Sequence, residues 1–312
     1  MKTHLFALAS FSVLSFAACG GPAEEPSESV TTEEAAAPEA EPEVVETVDD
    51  DATLLSGILD AQAEENQARF DDRNPAETLE FFGIAPGMTV AEILPGGGWY
   101  TKILLPYLGD EGALIGIDYS IDMWSKFGGF ATPEFLEAKE TWAETWTEGA
   151  LEWRGDTEAG VSALVFGSRD PATDGTVDAV LMIRALHHLN RFNTDEKNYM
   201  DEALADIHAL LKPGGTFAIV QHRGPEENDD EWAKGDNGYM KQSAVIAMVE
   251  AAGFELAAES EINANPKDVP TNEEFVWRLP PSLGTSEDDP ELKAQMEAIG
   301  ETDRMTLKFT KT

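Results

Sequence analysis

The 312-residue sequence predicts an α/β protein built on a doubly wound, mostly parallel seven-stranded sheet with an antiparallel edge strand. Three observations predict it. Short apolar runs alternate with amphipathic segments of helical length, which implies parallel strands joined by crossover helices. The run Val177–Ile183 carries almost no polar residue, as a strand covered on both faces requires. The first clear strand runs directly into three glycines and then into a helix, the junction at which such sheets bind ligands.

The elements follow in chain order. Leu54, Leu55, Ile58 and Leu59 fall at helical spacing, and a polar helix continues to Phe70. Asn74 and Pro75 start a helix over Ala76–Phe82 that Gly83 ends. Met88–Leu94 reads as the first strand, Trp99–Leu108 as a helix and Ala113–Ile117 as the second strand, closing on Asp118. Ile121–Phe127 and Pro133–Thr147 read as helices, Val161–Phe166 as the third strand and Val177–Ile183 as the fourth. The amphipathic helix Glu196–Leu211 stops at Lys212-Pro213-Gly214-Gly215, before the fifth strand, Thr216–Gln221. A helix over Ser243–Ala252 precedes the strands Phe254–Ile262 and Arg304–Thr310. No long crossover helix is evident in Asn263–Asp303, so these last two strands are expected to pair antiparallel at one edge.

Acids outnumber bases 60 to 21, a net charge of −39, which repels polyphosphate and argues against a nucleic-acid partner. Twelve of the acids lie between Gly20 and Asp51, where there is no Lys or Arg; residues 52–312 still carry −28. Residues 1–18 read as a signal peptide: Lys2, then an apolar run Leu5–Ala18 too short to span a bilayer. Ser15-Phe16-Ala17-Ala18-Cys19-Gly20 resembles a bacterial lipoprotein signal, which implies lipidation of Cys19, the only cysteine. Residues 19–51, rich in Glu, Pro, Ala, Ser and Thr, are expected to form a disordered acidic tether. The expected organisation is a signal peptide, this tether and a single domain over 52–312. The expected location is the cell envelope, on the periplasmic face of the outer membrane, because Gly20 is not the Asp of inner-membrane retention.

Glu92-Ile93-Leu94-Pro95-Gly96-Gly97-Gly98-Trp99-Tyr100-Thr101 carries most of the functional information. Glycines let the backbone turn tightly and approach a ligand. Asp118 ends the second strand at the spacing where an acid meets ribose hydroxyls. A dinucleotide fingerprint would place its third glycine where Thr101 stands, and a pyrophosphate sits badly beside Glu92. A phosphate-free nucleoside bearing positive charge suits these acids better.

The segment resembles motif I of class I S-adenosylmethionine-dependent methyltransferases, acid-x-G-x-G-x-G. Glu92 takes the acidic place, Gly96 and Gly98 the second and third glycines, and Leu94 replaces the first. Val177–Leu181 with Arg184–Leu189 is similar to the fourth-strand motif, and Leu211–Gly215 to the loop before the fifth strand. Asp71–Arg73, Pro95–Thr101 and Thr302–Phe309 resemble a bacterial family of predicted methyltransferases. The resemblance spans about residues 68–312. It implies the Rossmann-like methyltransferase fold and S-adenosylmethionine as cofactor, held by Glu92, Pro95, Gly96, Gly97, Gly98, Tyr100 and Asp118. It also implies an acid near adenine after the third strand, Asp170 or else Asp156.

Methyl transfer needs alignment and sometimes a base. His187 and His188 follow the fourth strand and His222 ends the fifth, so these three are the catalytic candidates; His208 lies within a helix and reads as structural. Adjacent histidines diverge on a regular element, so no metal is expected. Arg184 closes a buried strand, to hold an anionic acceptor or to pair with Asp118 or Glu92. Trp124, Trp142, Trp146 and Trp153 either line an apolar site or pack the core. Arg73 and Arg278 either close the pocket or lie exposed.

The expected function is methyl transfer to a small-molecule acceptor by an exported, lipid-anchored monomer. A non-catalytic lipid-anchored binding protein on the same fold is the alternative, since the cofactor is made in the cytoplasm. A nicotinamide-dependent oxidoreductase is the third reading.

Overall fold

The computed structural model describes residues 47–194 and 196–312. Cys19 and the signal peptide lie outside the described residues. So does the tether, except for its last five residues. Those begin the first helix, Thr47–Asp60, whose Leu55 and Leu59 are buried. The folded part thus starts before Ala52.

Among the described residues there are eight strands: β1 (Thr89–Ile93), β2 (Ala113–Asp118), β3 (Gly160–Val165), β4 (Val177–Ile183), β5 (Leu211–Gly224), β6 (Met240–Lys241), β7 (Phe254–Ser260) and β8 (Arg304–Lys311). The sheet order is β3-β2-β1-β4-β5-β8-β7, with short β6 beside the end of β5. β1 to β5 run parallel, and β8 is antiparallel to both β5 and β7. This is the Rossmann-like methyltransferase fold. The antiparallel pair lies at the expected edge, with the last strand inserted inside β7.

Alternation along each strand divides the core in two. Ala91, Ile93, Ile117, Val180, Met182 and Ile219 face one layer, under the helices Tyr199–Leu210 and Gln242–Ala251. Val90, Leu114, Ala179, Leu181 and Val220 face the other, under the helices Thr47–Asp60, Pro75–Phe82 and Thr101–Leu108. The chain moves outward from β1 to β3, then returns to lay β4 on the opposite flank of β1. That reversal opens a crevice at the carboxyl ends of β1 and β4.

Four helical regions differ from expectation. The helix expected to continue to Phe70 ends at Asp60 and is followed by the short turns Glu64–Gln67 and Phe70–Arg73. The helix expected over Pro133–Thr147 is divided at Thr141, which leaves the helical path, into Pro133–Glu140 and Trp142–Ala150. Ile121–Phe127 becomes a single α turn, Ile121–Trp124, followed by the 3-10 segment Ser125–Phe130, with Gly128 breaking the helical path. The ten-residue helix Pro290–Ile299 lies in the segment expected to lack a long crossover helix; Asp289 caps it and Pro290 opens it. No helix among the described residues is long and apolar enough to cross a membrane.

Candidate functional site

β1 ends at Ile93, and the next residue, Leu94, takes a left-handed φ of 52°. Its N–H still donates to Ile117 of β2 at 2.7 Å. Leu94 stands where the motif has a glycine, so a leucine side chain is held in glycine geometry, at a cost of roughly 1 kcal/mol or more. Pro95-Gly96-Gly97-Gly98 then turns, with Gly98 N–H donating to the Pro95 carbonyl at 2.9 Å. Gly98 has φ 79°, and a Cβ there would lie 2.3 Å from the Trp153 ring. Gly97 has open space around it.

The two carboxylates share a sheet face. Glu92 is paired in register with Gly116, and Asp118 lies two residues further along β2. Each has an internal partner. Thr101 Oγ1 donates to Glu92 Oε2 at 2.7 Å, and burial pushes the Glu92 carboxyl up to about 7. Asp118 accepts from Lys139 Nζ at 2.5 Å and from the Tyr119 N–H at 2.8 Å. Burial raises its pKa, against the pull of Lys139. The ammonium of Lys139 also lies 4.1 Å from the centroid of Trp124. Trp153 covers Gly98, and Trp146 occupies the space over Gly116, the register partner of Glu92.

Asp170, expected near adenine, is exposed and caps the turn Pro171–Thr173 by accepting from the Ala172 N–H at 2.9 Å. Its recorded partner is therefore local, and Asp156 is likewise exposed. Tyr100 is buried, its hydroxyl pushed up to about 12 by that burial, with Arg304, Arg184 and Arg73 nearby.

The three candidate histidines come together. A cavity of about 230 Å³ at the ends of β1, β4 and β5 is lined by Leu94, Arg184, His187, His188, His222 and Trp277, among others. The His187 ring centroid is 4.0 Å from that of His188 and 5.4 Å from that of His222. Burial holds His187 down at about 4 and His188 at about 2, so both are neutral near pH 7. His222 is also held well below the ordinary value by burial. Gln221 Nε2 donates to the Gly238 carbonyl at 2.8 Å, which turns its Oε1 toward His187 Nδ1, 3.2 Å away. The proton of His187 is thereby assigned to Nδ1, leaving Nε2 as an acceptor. His222 Nδ1 lies 2.6 Å from Thr302 Oγ1. His208 packs edge-on against Phe254, as a structural residue. Among the described residues, no group of three or more His, Cys, Asp or Glu is arranged to hold a metal ion.

Arg184, immediately after β4, pairs with neither Asp118 nor Glu92 but stands 3.7 Å from Glu301. Arg73 is buried against Glu301 at 3.1 Å and lies 4.7 Å from the Trp99 centroid; Arg278 is buried on Asp268 at 2.8 Å. Neither is an exposed arginine. Trp124, Trp142, Trp146 and Trp153 do not line the cavity; Trp277 does. Trp277, Glu301, Thr302 and Lys139 were invisible as site residues, because only the folding of distant segments brings them there.

Residues 91–219 match a family model described as a methyltransferase domain. The match runs from β1 into β5, across the glycine turn, both carboxylates and the two adjacent histidines. Among solved structures, the chain is similar to a SAM-dependent methyltransferase from Aquifex aeolicus, with 16% identity and a TM-score of 0.46 over 83% of this chain and 98% of that one. It is also similar to the Burkholderia thailandensis 1,6-didemethyltoxoflavin-N1-methyltransferase with bound S-adenosylhomocysteine, with 16% identity and a TM-score of 0.43 over 89% and 93%. No curated protein matches the chain.

The donor set fits the expected cofactor in its chemistry. It offers two carboxylates on one sheet face, an open backbone at Gly97 and no basic side chain in the turn Pro95–Gly98. A pyrophosphate would face Glu92, whose partner Thr101 stands in place of the dinucleotide glycine.

Proposed function

We propose that the chain is an S-adenosylmethionine-dependent methyltransferase acting on a small-molecule acceptor. The observation that carries this reading is the crevice itself: two carboxylates behind a glycine turn, next to a cavity holding three neutral histidines. Asp118 would accept from the ribose hydroxyls, Glu92 would face the methionine end, and Gly96 and Gly97 would let the nucleoside approach the backbone, while Trp153 covers Gly98. When bound, the cofactor supplies a methyl group on a sulfonium, open to in-line attack.

His187 does the proton work in this proposal. Its Nε2 lone pair accepts the proton of an acceptor hydroxyl or amine, while Gln221 fixes the ring. Leu94 and Trp277 exclude water from the cavity wall. Lys139 must leave Asp118 for the ribose to bind.

The anchoring of this enzyme at Cys19 on the periplasmic face of the outer membrane, as a monomer, is part of the same proposal. It is supported by the signal-like residues 15–20 and by the acidic, apolar-poor stretch after them. Cys19→Ala should move the protein from the membrane fraction to the soluble one; retention on membranes would contradict the anchor.

The internal pairing of Asp118 with Lys139 also favours a second reading, a binding protein on this fold that has lost turnover. Thermal unfolding of the full-length chain tests the first reading. Saturating S-adenosylhomocysteine should raise the midpoint and NAD should not. A midpoint unmoved by both contradicts the cofactor assignment.

A further inference from the structure

Four arginines converge on one glutamate beside the cavity. Arg69 and Arg73 both reach Glu301 Oε1. Arg304 Nη1 donates to Oε2 at 3.0 Å. Arg184 Nη1 comes last, 3.7 Å from Oε2, an ion-pair distance too long for a hydrogen bond. The other nearby carboxylate, Asp72, faces the backbone N–H of Glu301 at 3.4 Å. One carboxylate thus serves four guanidiniums in a protein whose net charge is −39.

Of the four, Arg184 is the one that lines the cavity. Among the described residues its Nε is buried with no hydrogen-bond partner, as are the Nε atoms of Arg69 and Arg304, so the cluster as a whole is short of acceptors. A buried guanidinium donor without an acceptor costs on the order of 1–3 kcal/mol, and a bound anion is one partner that would satisfy it. Arg184 also holds φ 58°, a left-handed backbone for a residue with a side chain. Burial, and then the charge of Arg73, draws its pKa down to about 10, so it remains a cation at neutral pH. Around it the wall holds Leu94, Val276, Trp277 and Pro280, three neutral imidazoles and the carboxylate of Glu301, which three other arginines already share.

We infer that Arg184 is the anchor for an oxyanion, and that the methyl acceptor is a small acid: a carboxylate or phosphate on a compact apolar body. A cationic acceptor would be repelled by Arg184, and a neutral one would leave its charge without a full counter-charge. A fork of N–H donors fits a two-oxygen acceptor. The charge excess around Glu301 selects the anion, and the apolar wall selects its body. That the bound anion is the methyl acceptor rests on the methyltransferase reading; the anion site does not.

The same carboxylate chemistry is present at the methionine end of the cofactor, so the test must separate the two sources. The full-length chain is titrated calorimetrically with S-adenosylhomocysteine, and then, saturated with it, with benzoate and its neutral isostere benzamide. Benzoate should bind and benzamide at least tenfold more weakly. Arg184→Gln should weaken benzoate at least tenfold and S-adenosylhomocysteine less than twofold. Arg184→Lys, which keeps the charge and loses the fork, should recover part of the benzoate affinity. Unchanged near-UV circular dichroism and S-adenosylhomocysteine binding by the variants show that they fold. If benzoate fails to bind protein that does bind S-adenosylhomocysteine, the inference is overturned and the methyltransferase reading stands. If Arg184→Gln instead weakens S-adenosylhomocysteine tenfold and leaves 5′-methylthioadenosine unchanged, the anion is the cofactor's own and the inference is again overturned. Benzoate binding without any S-adenosylhomocysteine binding would keep the anion site and remove the methyltransferase reading.

Discussion

Leu94 and Arg184 are counterparts across the crevice. Each is the first residue beyond its strand, β1 or β4, and each has a left-handed φ, 52° and 58°. The N–H of each donates at 2.7 Å to a carbonyl of the next strand outward, Ile117 or Val220. Both side chains line the same cavity. The fold bends its two central strands apart here with residues that carry side chains, where glycine would be unstrained.

Strain at Leu94 has a measurable signature. Leu94→Gly and Leu94→Ala both remove the side chain, so they differ mainly in backbone. At an ordinary site the alanine variant is the more stable. Here Leu94→Gly should be the more stable by about 1 kcal/mol in denaturant unfolding. An alanine variant as stable as the glycine variant would show that the left-handed turn is not enforced.

The glycine turn should respond unevenly to a single methyl group. Gly98→Ala meets the Trp153 ring and keeps a positive φ, so a loss of about 2 kcal/mol or more is expected. Gly97→Ala meets open space and should cost under about 1 kcal/mol. Equal losses at the two positions would mean that Trp153 does not rest on the turn.

Lys139 should act as a competitor for Asp118. Lys139→Met leaves Asp118 buried without its cation, so the free protein should lose about 3 kcal/mol. S-adenosylhomocysteine should then raise the unfolding midpoint by more than it does in the unaltered chain. An equal or smaller rise would mean that ligand and lysine do not share the carboxylate.

Glu92 predicts a pH dependence of stability. Its pKa is raised from 4.5 to about 7 on folding, by burial. Between those values the folded state keeps a proton that the unfolded state has released. Stability therefore falls as pH rises through that window, by up to roughly 1.4 kcal/mol per pH unit from this group. Glu92→Gln, which can still accept from Thr101, should flatten that slope and be the more stable variant at pH 8. Parallel slopes in urea unfolding at pH 5 and pH 8 would contradict it.

Much of this arrangement is legible in the residues. The seven main strands, the glycine turn and the gathering of His187, His188 and His222 at one rim follow from apolar runs and strand ends, which are local signals. What is not local stays hidden. Arg184 ends a buried strand, but nothing in the chain indicates that its partner is Glu301, more than a hundred residues away. Lys139 sits on an ordinary polar helix, and only tertiary packing brings it to Asp118. Asp170 shows the converse: the acid is at the anticipated distance from β3, and a turn N–H one residue beyond Pro171 takes its carboxylate. The helix Pro290–Ile299 had a signal in Asp289-Pro290, outweighed by its polar composition.

Calorimetric titration of S-adenosylhomocysteine into the full-length chain and its Asp118→Asn variant asks whether the crevice holds the cofactor on Asp118. A single site is expected, whose affinity falls by about 1–3 kcal/mol when the charged hydrogen-bond acceptor is lost. A titration without heat at millimolar ligand, or an Asp118→Asn variant that binds as tightly as the unaltered chain, would contradict it.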